Sequence, residues 1–334
     1  MFRIVGSKSR VTVMVVLTVA SLWSAVAAAE PTRIAWRWAP EQSRVFEMTR
    51  EMNRTLVAFT ERKTRTVEWM STTWTATEVD DAGVATIEIH FDRTRYRSNA
   101  SAFGELFFDS DQPDVGGLKD LPLIRPLAGL VGRSITVRMA PTGELLELEG
   151  LDAIVNEALT DTGADSEMKE SMRRAFGDEG MRQWMESVTR IAPAEPVESG
   201  HEWATEVKWP IQWVGVVTGV LNNKVRSIED TADGRRAEII STSEVSAELR
   251  TLDLQKNNFA GRPKGVIDNS KAVRRATFEI KRGAPSRSEA GVLADLRLTL
   301  GTEENSLDST ERVEYRVILE TPKEGEKEES SPES

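Results

Sequence analysis

The sequence predicts a mainly β protein: one large curved antiparallel sheet, half-barrel or sandwich, carrying a central helical insertion of about three helices. Three observations carry that prediction. Apolar and polar residues alternate with period two through most of the chain, several alternating runs are long, and one middle segment switches to helical spacing.

The first 29 residues stand apart. Arg3, Lys8 and Arg10 precede an uncharged apolar run from Val11, and small residues close it at Ala25-Val26-Ala27-Ala28-Ala29. This is the pattern of a cleavable secretory signal, with the mature chain beginning near Glu30. The apolar run is shorter than the ~20 residues a spanning helix needs, so no transmembrane segment is expected after cleavage.

Residues 30–320 then read as a single β-rich domain. Ile34, Trp36 and Trp38 share one face. Arg44–Phe59 and Lys63–Glu78 read as strands well beyond the usual length of about five or six residues, which favours a coiled, curved sheet. Ile87, Ile89 and Phe91 alternate with Glu88, His90 and Asp92. A hairpin follows, with Ile135, Val137 and Met139 running in, Pro141-Thr142-Gly143-Glu144 turning, and Leu146 and Leu148 returning. Trp203, Val207 and Trp209 alternate in the same way. So do Phe278 and Ile280, then Leu296, Leu298 and Leu300, then Val313, Tyr315, Val317 and Leu319. Polar residues at the intervening positions argue for antiparallel strands with one solvated face.

Between residues 150 and 192 the spacing becomes helical. Leu151, Ile154, Val155, Ala158 and Leu159 form one stripe; Met168, Met172 and Phe176 form a second, stopped by Gly177. Asp178 is placed to cap a third helix, which buries Met181, Trp184, Met185 and Val188. Residues 321–334 hold nothing apolar to bury and read as a disordered acidic tail.

Composition narrows function. The chain has no cysteine, hence no disulfide and no anchoring lipid thioether, and an exported fold must be stabilised by its core alone. Removing the signal leaves 40 basic residues against 54 acidic ones. That balance repels phosphate backbones, so nucleic-acid binding is not expected. An oxidising compartment without disulfides suits a bacterial periplasm or cell envelope.

Candidate sites are few, and each has a bland counterpart. Glu88, His90 and Asp92 project from one strand face as a possible acid–base or metal cluster, although the parity of Ile87, Ile89 and Phe91 makes that face the solvated one. Arg93, Arg95 and Arg97 continue the apolar parity. Without a bulge, three guanidinium groups point into the concavity and can hold an anionic ligand; with one, they reach solvent or acidic neighbours. Asp109–Asp114 is oxygen-rich but lacks the spacing of a calcium loop, since Pro113 stands at a ligand position. Met168, Met172, Met181 and Met185 gather on the insertion, either as a lid over a ligand or as plain core. There is no Gly-x-Ser-x-Gly elbow, phosphate-binding glycine loop, His-Glu-x-x-His or paired Cys-x-x-Cys. No cofactor and no metal are expected.

Two stretches carry a resemblance. Gly132-Arg133-Ser134-Ile135-Thr136-Val137, running through Pro141-Thr142-Gly143-Glu144 to Gly150, is one; Pro196-Val197-Glu198-Ser199-Gly200-His201-Glu202-Trp203 is the other. In this order they resemble a family of uncharacterised exported bacterial proteins, often lipoproteins, related in fold to the periplasmic lipoprotein-carrier half-barrel. The resemblance covers mainly residues 100 to 250, and this chain lacks the anchoring cysteine of the lipoprotein members. It implies a curved antiparallel sheet with helices across one face and room for an apolar ligand. The expected function is that of a non-enzymatic envelope protein binding such a ligand in the concave face, or meeting an envelope protein partner. The alternatives are an assembly protein with a filled core and a carboxylate-dependent hydrolase.

Overall fold

The computed structural model describes residues 30–57, 61–100, 104–112, 117–160, 163, 165–211, 215–249, 264–301 and 306–321. The predicted signal and all but the first residue of the predicted tail lie outside them, as do Pro113 and Asp114 of the acidic loop.

After an irregular segment, the chain forms β1 (Ser43–Val57), β2 (Glu61–Val79), β3 (Ala85–Ala100) and β4 (Gly104–Asp109). Next come α1 (Arg125–Leu130), β5 (Ser134–Met139) and β6 (Leu145–Glu149). The insertion supplies α2 (Leu151–Ala158), α3 (Ser166–Phe176) and α4 (Asp178–Thr189). Six strands complete the chain: β7 (Glu202–Ile211), β8 (Gly215–Thr231), β9 (Gly234–Leu249), β10 (Lys264–Glu279), β11 (Ala284–Gly301) and β12 (Ser306–Glu320).

All twelve strands belong to one open antiparallel sheet in the order β6-β5-β3-β2-β1-β12-β11-β10-β9-β8-β7, with β4 added beside β3. The mainly β, antiparallel expectation therefore holds, and the insertion contains the three expected helices. The long alternating runs become strands of 15 and 19 residues at β1 and β2. Pairing β1 with β12 joins the two ends of the domain in the middle of the sheet, and leaves β6 and β7 as its edges. The insertion connects those edges. Its last helix, α4, packs on both β6 and β7 and also on the central strands β11 and β12. A sheet whose two edges and centre touch one helix is curved around that helix.

The core fills this concavity. Trp36 and Trp74 stack at 6.3 Å, and Phe46 and Phe278 pack against Trp36 at 6.0 and 6.3 Å. Such pairs add about 0.5–1.5 kcal/mol each beyond their buried area. Ile34, Trp36 and Trp38 are buried as their alternation suggests, but residues 33–38 form no strand. Their backbone bonds are single ones to distant turns, Trp36 N–H to Pro141 at 2.8 Å and Arg37 N–H to Gly283 at 2.9 Å.

The Pro141–Glu144 turn is a docking element as well as a hairpin. Gly143 has φ +85, and a Cβ there would stand 1.8 Å from the carbonyl oxygen of Thr189, the last residue of α4. The Thr189 hydroxyl donates to the Gly143 carbonyl at 2.8 Å, and the Trp36 indole donates to the Thr189 carbonyl at 2.9 Å. Glycine thus serves both the turn and the close approach.

One cap falls elsewhere than expected. Asp178 opens α4, but its carboxylate accepts from Leu151 N–H at 2.8 Å and so caps α2. Asp152 of α2 answers by accepting from Asp178 N–H at 3.1 Å. The two helix starts lie side by side and exchange caps, which a reading of one helix at a time cannot show.

Candidate functional site

The register places one row of directly paired residues across the sheet. From β8 to β4 it reads Asn223, Ser241, Arg274, Ala290, Val317, Arg50, Glu68, Tyr96 and Phe108. Every one of them is buried. The row has two polar centres separated by Ala290 and Val317.

At the first centre Arg50 and Glu68 form an ion pair between β1 and β2. The guanidinium lies 4.6 Å over the Trp184 ring of α4 and 5.1 Å over Phe176, the last residue of α3. Burial holds the Glu68 carboxyl above the usual carboxylate range, against the opposing pull of Arg50. Burial likewise raises the Tyr96 phenol, while hydrogen bonds from the Ser98 and Thr66 hydroxyls oppose it. The strand neighbours of this centre are Thr66 and Ser98, whose hydroxyls lie 3.3 Å apart.

At the second centre Arg274 of β10 donates to the carbonyl of Arg190, just past α4, at 2.7 Å, and to Asn223 Oδ1. Ser241 donates to the same Asn223 oxygen at 2.6 Å, and the Asn223 amide donates to Thr205 Oγ1 at 2.9 Å. Burial first, then the Arg190 charge, lower the Arg274 pKa to about 9. At neutral pH the group remains a cation, and it faces the carbonyl end of α4, where helix dipoles favour positive charge. The row is thus where the insertion is fastened: α4 rests a ring on Arg50 and its C-terminal carbonyl on Arg274.

On β1 the row also marks where the seal ends. Phe46, Met48 and Arg50 are 0, 2 and 7 % exposed. Met52, Arg54 and Leu56 share their parity but are only half-buried, as are Thr64 and Thr66 on β2. Past the row, the inner face of β1 and β2 continues without the sealed packing that α3 and α4 provide.

The sequence-predicted residues lie elsewhere. The β2–β3 register shifts where Ser71 pairs with Arg93 and Thr72 with Phe91, so Asp92 is an extra residue. That bulge resets the parity, and Thr94, Tyr96 and Ser98 take the inner face. Arg93, Arg95 and Arg97 turn to the outer face. Arg93 grips Asp109 at 2.7 Å; Arg95 reaches Asp109 at 3.0 Å and lies 4.4 Å over Trp69; Arg97 pairs with Glu105. Asp109 and Glu105 belong to β4, the short strand paired with β3.

Met172, Met181 and Met185 are sealed in the core at 0 to 2 % exposure, and Met168 is half-buried against it. His90 and Asp92 sit on the outer face 4.0 Å apart, and Glu88 is exposed there. Among the described residues no group of histidines and carboxylates is arranged to hold a metal ion. Two surface depressions of about 290 and 300 Å³ lie on the outer face, with side chains of both charges around them. Arg50 and Arg274 were the residues sequence reading passed over. Their signal was a charge at an inner-face position, Arg50 following Phe46 and Met48, and Arg274 lying between Ala272 and Ala276.

The model of a family of unknown function, DUF6263, matches residues 82–253, more than half of the chain. This chain belongs to that family. The match spans the bulge, the hairpin that receives α4, the whole insertion, and Asn223 and Ser241 of the row. No curated protein matches the sequence. Among solved structures, lipovitellin, described for its lipid–protein interactions, is 10% identical with a TM-score of 0.43; the alignment covers 86% of this chain and 26% of lipovitellin. The chain therefore spans about a quarter of the lipovitellin chain. DynF, from the dynemicin pathway of Micromonospora chersina, is 6% identical over 88% of this chain and 86% of its own, with a TM-score of 0.21. OccK5 of Pseudomonas aeruginosa is 10% identical over 84% and 99%, with a TM-score of 0.19.

Proposed function

We propose that this DUF6263 protein is an exported, non-enzymatic envelope protein that binds an apolar ligand in its concave face, past the Arg50–Arg274 row. The observation that carries the reading is the change along β1, where sealed Phe46 and Met48 give way to half-buried Met52 and Leu56 on the same face. Apolar side chains left partly covered inside a curved sheet gain by burial against an acyl chain, about 0.5–1 kcal/mol for a partly covered leucine-sized group. The charge-free stretch Val11–Trp23 and the cysteine-free composition support export without a lipid anchor. In this reading Met172, Met181 and Met185 are core, and Met168 is the half-buried methionine of the insertion.

The sealed half favours the filled-core alternative for that half alone, so the two readings part at Leu56. Purified protein is titrated with a fluorescent fatty acid, and protein taken from its native envelope is extracted with organic solvent. The expected result is saturable uptake that Leu56→Asp weakens about tenfold or more, at unchanged circular dichroism. Bare polypeptide on extraction, together with no uptake by the parent, defeats the proposal and leaves the filled core standing.

A further inference from the structure

A second feature lies away from the row, where residues 37–44 meet the turn between β10 and β11. Arg44, at the start of β1, is 6% exposed. Its terminal nitrogens donate to the backbone carbonyls of Arg37 at 2.6 Å, Arg282 at 2.8 Å and Gly283 at 3.2 Å, and to Gln42 Oε1 at 3.2 Å. Its guanidinium lies 4.2 Å over the Trp38 ring, and its buried Nε has no hydrogen-bond partner. Arg44 is therefore fixed in place.

Arg37 and Arg282 are exposed beside it. The Arg37 side chain crosses Gly283, whose φ is +67; a Cβ there would stand 2.6 Å from Arg37 Cβ and 3.1 Å from its Nε. Burial chiefly, then the charges of Arg282 and Arg37, lower the Arg44 pKa to about 10. The backbones of Arg37 and Arg282 are thus gathered around the Arg44 guanidinium, and both residues are exposed there. Several exposed arginines of this acidic protein find carboxylates: Arg133 with Glu157, Arg138 with Glu147, Arg236 with Glu279. Among the described residues, none of Arg37, Arg44 and Arg282 does.

Three arginines, one of them desolvated, meet at one place through bonds to the backbone, and among the described residues no carboxylate pairs with any of them. Guanidinium forks match the geometry of phosphate oxygens, and their attraction to a dianion grows where water is excluded. We propose that Arg37, Arg44 and Arg282 form a binding site for an oxyanion of the phosphate class, with Arg37 and Arg282 as exposed clamps and Arg44 as the fixed charge beneath. The site is separate from the apolar concavity and does not depend on it.

Thermal melting of the full chain in inorganic phosphate, against chloride at matched ionic strength, tests the proposal. The expected result is a saturable rise in Tm of several degrees, since an anion bound only by the folded state stabilises it. The exposed-site variant Arg37→Ser/Arg282→Ser should fold, with unchanged circular dichroism, and lose the phosphate response. Cosedimentation with phosphatidylglycerol or phosphatidylcholine vesicles distinguishes the sources. Binding selective for phosphatidylglycerol and lost in the double variant assigns a lipid headgroup; a phosphate response without vesicle binding assigns a free anion. A phosphate response that survives in the double variant overturns the site, as does the absence of both responses in the parent.

Discussion

Arg50 and Glu68 show how one pair of residues decides more than its own bond. Two charges are removed from water here, and their attraction offsets only part of a desolvation cost of several kcal/mol per ion, which is why the Glu68 carboxyl stays raised. Breaking the pair leaves the survivor uncompensated. Arg50→Met should therefore destabilise the protein by about 3–5 kcal/mol in denaturant unfolding, while Arg50→Met/Glu68→Met recovers most of that loss. Equal losses in the single and double variants would show that the Arg50 stem and its ring contacts, not the charge pair, carry the energy. The residue was legible in part. Its inner-face parity with Phe46 and Met48 stands in the sequence, but the partner on β2 and the rings of Phe176 and Trp184 do not.

At the scale of elements, the β5–β6 hairpin and α4 form one unit. Its turn chemistry was readable, because proline and glycine in that order signal a tight turn. Its purpose was not, since the Thr189 carbonyl that excludes any side chain at Gly143 arrives 46 residues later. Gly143→Ala introduces both a strained φ and a clash with backbone. It should cost more than about 2 kcal/mol in urea unfolding, well above the ordinary glycine-to-alanine effect in a free turn. A cost under about 1 kcal/mol would mean that the hairpin shifts freely on α4. The bulge at Asp92 teaches the same lesson for a strand. The alternation of β3 was clear up to Phe91, and one inserted residue moved Arg93, Arg95 and Arg97 to the other face. Nothing in the local sequence marks that insertion, because the register is set by the pairing with β2.

Across the whole molecule, carboxylates are perturbed in opposite senses, and this sets a pH optimum. Burial raises Glu68, Asp178 and Glu186, so the folded state holds their protons more tightly than the unfolded chain. Their contribution is full below the ordinary carboxylate pKa of about 4 and is lost as pH rises through the raised values. Asp109 is lowered: hydrogen bonds from Arg93 and Asp111 and the charges of Arg93 and Arg95 outweigh its burial. Arg133 lowers Glu157 and Lys224 lowers Glu202 by side-chain hydrogen bonds. The stabilisation from these three is present above about pH 4 and lost as pH falls. Melting should therefore peak at mildly acidic pH, and Glu68→Gln should flatten the decline on the alkaline side while leaving the acid limb unchanged. A parallel pair of curves would remove Glu68 from the account.

By itself the sequence determined the class of structure: an acidic, cysteine-free chain whose period-two alternation commits it to antiparallel strands with one covered face, interrupted by amphipathic helices. These are local properties, because each side chain's face follows from its neighbours two or four positions away. Only the tertiary structure decided that β1 pairs with β12, that α4 spans both edges of the sheet, and that Arg50 and Arg274 share one row. Those facts rest on register between distant segments, where one bulge reverses every later side chain. The physical reason is that pairing is chosen by the energy of the whole packed sheet, which no single strand encodes.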